Sequence, residues 1–80
     1  MRLDKFLKVS RIVKRRTVAN DICSAGRVRV NDHAAKPGTD VKIGDVIDIG
    51  FGTGNTRVQV LKLQETVRKE EAATLYDILP

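Results

Sequence analysis
RTVANDICSAGRVRVND (Arg16–Asp32) changes its period half-way along. In the first half Ala19, Ile22 and Cys23 fall at helical spacing and form the inner face of a helix from about Arg16 to Ala25. Gly26 is the natural residue to end it, because the position just past a helix C-terminus favours the left-handed conformation. Beyond it Arg27-Val28-Arg29-Val30 alternates with period two, as a half-buried strand does. Asn31-Asp32 is a two-residue turn candidate and His33–Lys36 the returning strand. Both turn residues tolerate positive φ, though Asp does so less readily than Gly at the second position.

Upstream, Leu3, Phe6 and Leu7 follow the i, i+3, i+4 rule, so Leu3 to about Val13 reads as a first amphipathic helix. Arg2, Lys5, Lys8, Arg11 and Lys14 recur every third position and walk around such a cylinder. Lys14 would then lie between Leu3 and Leu7 on the apolar face, so the chain is expected to turn near Ile12–Lys14. Downstream, Pro37-Gly38 and Ile43-Gly44-Asp45 mark a loop and a tight turn. Val46–Ile49 and Arg57–Leu63 read as two more strands joined by Gly52-Thr53-Gly54-Asn55. Lys69–Leu79 places Ala72, Leu75, Tyr76 and Leu79 on one face of a short terminal helix that docks on the sheet. The expected order is α-α-β-β-β-β-α, an α+β domain in which two N-terminal helices pack on a small, mostly antiparallel sheet. No repeat or linker divides the 80 residues, so 1–80 is expected to be one domain, with a core motif over 2–49 and a C-terminal strand and helix over 57–79.

Charge is divided unevenly between the two halves. Residues 1–30 carry nine Lys or Arg against Asp4 and Asp21, and residues 31–80 carry six against eight acidic residues, so the halves sum to +7 and −2. Lys14, Arg15 and Arg16 are consecutive. Like charges held so close repel one another unless an anion relieves them, which points to a polyanion partner for the N-terminal half. Arg15, Arg16 and Thr17 stand at the mouth of the second helix, where unpaired N–H groups already favour an anion. Arginine forks take phosphate oxygens in pairs, and Arg27 and Arg29, on the polar face of the next strand, are placed to extend the patch. The expected RNA-binding set is therefore Arg2, Lys5, Lys8, Arg11, Lys14, Arg15, Arg16, Thr17, Arg27 and Arg29.

Folded RNA fits this set better than the other nucleic-acid ligands. A DNA-reading second helix would present base-contacting side chains, whereas this one carries Asn20, Asp21 and Ser24 and nothing basic past Arg16. The aromatics are only Phe6, Phe51 and Tyr76, with Phe6 on the core face, too few for a platform of stacked bases. His33 has no second histidine beside it, Cys23 is the single cysteine, and no metal, cofactor or catalytic pair is expected. Glu70 and Glu71 are adjacent on a helix and point apart. One cysteine excludes an internal disulfide and fits a reducing compartment. The N-terminus is charged from its second residue and no long apolar run follows, so neither a signal peptide nor a membrane span is expected and the cytoplasm is the expected location.

Residues 2–49 resemble the S-four RNA-binding domain, named after a small-subunit ribosomal protein. The matching residues are RLDKFLK at 2–8, Arg16-x-x-Ala19, Gly26-Arg-Val-x-Val-Asn31, the A-K-P-G run at Ala35, and Val41-Lys-x-Gly-Asp45, in the family's order. The resemblance implies that the two helices and the hairpin form one RNA-binding surface, with Arg16 at the position of the family's near-invariant arginine. Replacing Arg16 with Glu is accordingly expected to abolish binding and spare the fold. Two positions depart from the pattern. Arg15 stands where the family has a Ser or Thr that caps the second helix, so either Thr17 caps a later start or the cap is missing. Asp32 replaces the usual glycine of the turn.

Lys69-Glu-Glu-Ala-Ala73 followed by Tyr76 is similar to the small bacterial relatives of the heat-shock ribosome-recycling S-four proteins. That similarity implies a non-catalytic factor bound to a split large ribosomal subunit still holding peptidyl-tRNA. Its partners would be large-subunit rRNA, the tRNA and RqcH, which adds C-terminal alanine tails to stalled chains. A monomer is expected. The basic C-terminal extension of the longer heat-shock relatives is missing, so contacts made there are not expected. Two other classes compete: the RNA-binding domain of a larger enzyme, such as a pseudouridine synthase or a tyrosyl-tRNA synthetase, and a small DNA-binding regulator. A start at Met1 and a terminal helix of its own favour a complete protein over the first. The charge-poor second helix disfavours the regulator.

Overall fold
The computed structural model describes residues 1–52 and 54–80. Helices α1 (Leu3–Val9) and α2 (Arg16–Ser24) precede strands β1 (Val28–Val30), β2 (His33–Ala34), β3 (Val46–Gly50) and β4 (Asn55–Val60), and a 3-10 helix (Lys69–Leu75) leads into β5 (Tyr76–Leu79). The α+β class is as expected, and the sheet, in the order β2-β1-β3-β4-β5, is antiparallel throughout. Its inner face (Val28, Val30, Ile47, Ile49, Val58, Val60) closes on Leu3, Phe6 and Leu7 of α1 and Ala19 and Cys23 of α2 in a single buried cluster.

The hairpin behaves as its sequence requires. Gly26 sits at φ +76° just past α2, and Asn31 and Asp32 both take positive φ, 51° and 67°. That pair of angles makes a type I′ turn, whose twist matches the flanking strands. Asn31 also ties the hairpin to β3: its backbone N–H donates to Val46 O, its side-chain oxygen accepts from Val46 N, and its amide donates to Asp45. The V-N and G-D elements of the sequence pattern are thus two ends of one hydrogen-bonded corner. The 35–45 loop serves α1 in the same way. Leu3 N donates to Thr39 O and Asp4 N to Pro37 O, so loop carbonyls satisfy N–H groups that the helix itself leaves unpaired.

Two strands end earlier than expected, β2 at Ala34 rather than Lys36 and β4 at Val60 rather than Leu63, where the N–H groups of Leu61 and Lys62 turn to Leu75 O. Two helical elements differ as well. The first helix ends at Val9 rather than near Val13, because Arg11 adopts φ +61° and its N–H donates back to Lys8 O. The helix therefore ends four residues early. Val13 is still buried, delivered to the core by the turn with its N–H on Leu7 O. The expected terminal helix over Lys69–Leu79 is also shorter, since only Lys69–Leu75 winds, as a 3-10 helix, and Tyr76–Leu79 is a strand. Ala72, Leu75, Tyr76 and Leu79 satisfy helical spacing, but β4 would otherwise present an unpaired edge, and pairing from Val60↔Tyr76 to Arg57↔Leu79 fills it. Ala72 and Leu75 are buried as the docking expectation requires. In the Gly52–Asn55 connection Thr53 lies outside the described residues, and Asn55 already belongs to β4.

Candidate nucleic-acid interface
Asp4 is the pivot of the helical layer. Its side chain is 3% exposed, and it accepts from Arg2 Nε at 3.1 Å and from Arg16 Nη2 at 3.5 Å. Within the first turn of α1 it also accepts from Lys5 N at 2.8 Å. Burial pushes its carboxyl up, yet the hydrogen bond from Arg2 and the charge of Arg16 more than offset this and hold it below the usual carboxylate range. One buried anion thus draws two arginines, twelve and two residues away in sequence, to the α1–α2 junction. Sequence reasoning counted Asp4 only as an opposing charge. The signal that could have found it is its place in the first turn of α1 with the core residues Leu3 and Phe6 on either side.

Around that junction the expected residues separate into groups. Arg16 opens α2 with its side chain half exposed, beside Thr17 in a shallow depression shared with Asp4, Asn20 and Asp21. Arg15 occupies the N-cap position with extended backbone and no side-chain cap, so the cap is absent and Thr17 does not begin the helix. Lys8, Arg11 and Lys14 line a groove of about 600 Å³ that runs from the end of α1 to Glu65, Thr66, Val67 and Lys69. Lys5 is ion-paired with Glu65 across this boundary. Among the described residues Lys8, Arg11, Lys14 and Arg15 have no carboxylate within ion-pair distance.

Arg27 and Arg29 stand apart from this set. Val28 and Val30 point into the core, so Arg29 projects from the face of the sheet that α1 and α2 do not cover. With Arg27, Asp48, Asn55 and the glycines at 26, 50 and 52 it lines a second depression of about 510 Å³. Register places Asp48 between Arg29 and Arg57, and Arg57 is a cation on this face that the sequence reading left out. Its strand was assigned, but the cross-strand neighbour that brings it beside Arg29 is fixed only by the sheet order.

The other chemistry-bearing residues are quiet. Cys23 is buried, and its thiol is pushed up to about 11, first by that burial and then by the charge of Asp4. His33 is exposed on the hairpin. Among the described residues no group of three or more His, Cys, Asp or Glu is placed to hold a metal ion, and no helix is long and apolar enough to cross a membrane.

Two short helices on an antiparallel sheet, with an arginine at the mouth of the second and the G-R-V-x-V-N hairpin after it, define the S4 class of domain, and the S4 domain family model matches residues 1–47. The chain is 56% identical to the RQC P-site tRNA stabilizing factor of Halalkalibacterium halodurans over 98% of its own length and 89% of the relative's. It is 52% identical to the Bacillus subtilis protein of the same name, over 99% and 92% of the two chains. Among solved structures, Heat Shock Protein 15 of Vibrio cholerae, described as a trimer, superposes with a TM-score of 0.91 at 32% identity, covering 99% of this chain and 81% of that one. The chain belongs to the S4-domain family and, within it, to the group formed by the RQC P-site tRNA stabilizing factors (RqcP).

Proposed function
We propose that this protein is a non-catalytic RNA-binding factor of ribosome-associated quality control. It binds the obstructed large ribosomal subunit, touching rRNA and the P-site tRNA, and supports the alanine tailing of stalled chains by RqcH. The observation that carries the RNA-binding part is the run of cations at the α1–α2 junction: among the described residues Lys8, Arg11, Lys14 and Arg15 have no carboxylate within ion-pair distance, and they repel one another. Near-full-length identity to factors named for stabilizing P-site tRNA supports the ribosomal setting. The contacts are made by Arg2, Lys5, Lys8, Arg11, Lys14, Arg15, Arg16 and Thr17 from the helical layer and by Arg27 and Arg29 from the outer sheet face. Two faces at different angles suit a factor that bridges two RNA molecules. The same unpaired cations would repel a second copy, so the protein acts as a monomer, and its place is the cytoplasm, where the ribosomes are.

Sedimentation through a sucrose gradient tests this reading. The tagged protein should peak with free large subunits, and the double variant Lys14→Glu/Arg15→Glu should stay at the top of the gradient while remaining folded. Lys42→Gln, which lines none of these three sites, serves as the control and should sediment like the wild type. A variant that is folded and still co-sediments would remove the junction cations from the interface. Alanine tails on stalled chains, measured in cells lacking the protein, should disappear and return with the wild type but not with the double variant.

A further inference from the structure
The groove at the end of α1 joins two regions that the charge division of the sequence separates. One wall is basic and N-terminal: Lys8, Arg11 and Lys14. The other comes from the acidic half and contributes Thr66, Val67, Glu65 and Lys69. Lys69, first residue of the 3-10 helix, is exposed, so four cations converge on one concave surface of about 600 Å³. Among the described residues none of these four has a carboxylate within ion-pair distance, whereas Lys5, outside the lining, is paired with Glu65. The Lys5 ammonium beside Glu65 holds that carboxyl below the usual range. Arg11 also holds a left-handed backbone, φ +61°, that glycine would adopt at lower cost. A long cation kept where a glycine would relieve strain marks its side chain as the useful part.

We propose that this groove seats a backbone phosphate of the bound RNA, that Lys69 is one of its ligands, and that Glu65 competes with that phosphate for Lys5. The proposal rests on the RNA-binding role given above and extends it to residues outside the N-terminal half. Physically, Lys69 adds a charge that releases a counterion when phosphate arrives. Glu65 does the opposite, because Lys5 must give up its carboxylate partner before it can meet a phosphate. The ion pair thereby holds the 65–69 wall against α1 in the unbound protein and costs affinity on binding.

Dissociation constants for purified bacterial large subunits carrying P-site tRNA, measured across a range of KCl, separate the parts. Each lost phosphate contact lowers the slope of log K against log salt by about 0.7 to 0.9. Lys69→Gln should flatten the slope by about that amount and weaken binding about two- to fivefold, the scale of one exposed charge pair. Glu65→Gln should steepen the slope and tighten binding by a similar factor. Glu71→Gln changes the net charge equally without touching Lys5, and should leave both quantities near wild type. Melting temperatures report whether each variant is folded, and Lys69→Met replaces Lys69→Gln should the latter melt early. If Lys69→Gln and Glu65→Gln both bind like the wild type while Lys14→Glu/Arg15→Glu does not, the groove is no phosphate seat and the RNA-binding role stands. If the double variant also binds normally, that role fails with it. Weaker binding by Glu65→Gln would overturn the competition and make the pair a brace that positions Lys5.

Discussion
Protonating Asp4 would leave Arg2 and Arg16 converging on a neutral group inside the fold. These arginines hold its carboxyl below the usual carboxylate range despite burial, so the folded chain takes up this proton less readily than the unfolded one. The stabilisation it provides is complete above about pH 5, clear of the unfolded carboxyl's own titration, and is lost as pH falls through the lowered folded value. Melting temperature should therefore be level from neutral pH to about pH 5 and then fall, and Asp4→Asn should melt lower at neutral pH with a shallower acid limb. An acid limb identical in the two proteins would assign it to other carboxylates. The same contact revises what Arg16→Glu should do. The sequence alone predicts an unperturbed fold, but a carboxylate at that position would face Asp4, so the melting temperature should drop along with binding. Arg15 separates the two effects better. It sits at the N-cap in extended geometry with no cap bond, so Arg15→Ser should raise stability by about 1 kcal/mol while weakening binding to large subunits. A variant no more stable than the wild type would show that the N–H groups of α2 find other partners.

Among the elements, the C-terminal segment carries more of the fold than its position suggests. Leu75 is fully buried, and its carbonyl accepts from Leu61 N and Lys62 N where the chain leaves β4. β5 then covers the β4 edge from Tyr76 to Leu79. Leu75→Ala should cost about 2 to 5 kcal/mol in a denaturant titration, the range for a large aliphatic core truncation. A loss under about 1 kcal/mol would mean that the 3-10 helix repacks freely. The helix–hairpin unit from Arg16 to Val30 was legible because its apolar period switches at Gly26 and each half has its own signal. The terminal strand was not, because Ala72, Leu75, Tyr76 and Leu79 fit a helix, and only the waiting edge of β4 favours extension. Helix α1 was overextended for a related reason. Nothing in the local pattern marks an arginine as the residue that turns left-handed at position 11.

At the scale of the whole molecule, binding should follow counterion release. With about four to six phosphates met by the helical and sheet faces, log K should fall against log salt with a slope of about −3 to −5, taking the duplex coefficient as a guide. Titration with large subunits over a range of KCl measures it, and a slope near zero would assign the affinity to something other than the basic surface. Because Arg29 and Arg57 project from the sheet face opposite the helices, Arg29→Gln/Arg57→Gln and Lys14→Glu/Arg15→Glu should weaken binding independently, their effects adding.

By itself the sequence determined the class of the fold and the sign of the partner's charge. Hydrophobic period, Gly26, the Asn31-Asp32 turn and the clustering of cations are local properties, readable from near neighbours along the chain. Tertiary structure alone decided which charges are paired and which are grouped together. Asp4 claims Arg2 and Arg16, Glu65 claims Lys5 across sixty residues, Lys69 joins Lys8, Arg11 and Lys14, and sheet register sets Arg57 beside Asp48. These pairings depend on through-space distance between residues remote in sequence, and Coulomb attraction acts on that distance, not on separation along the chain.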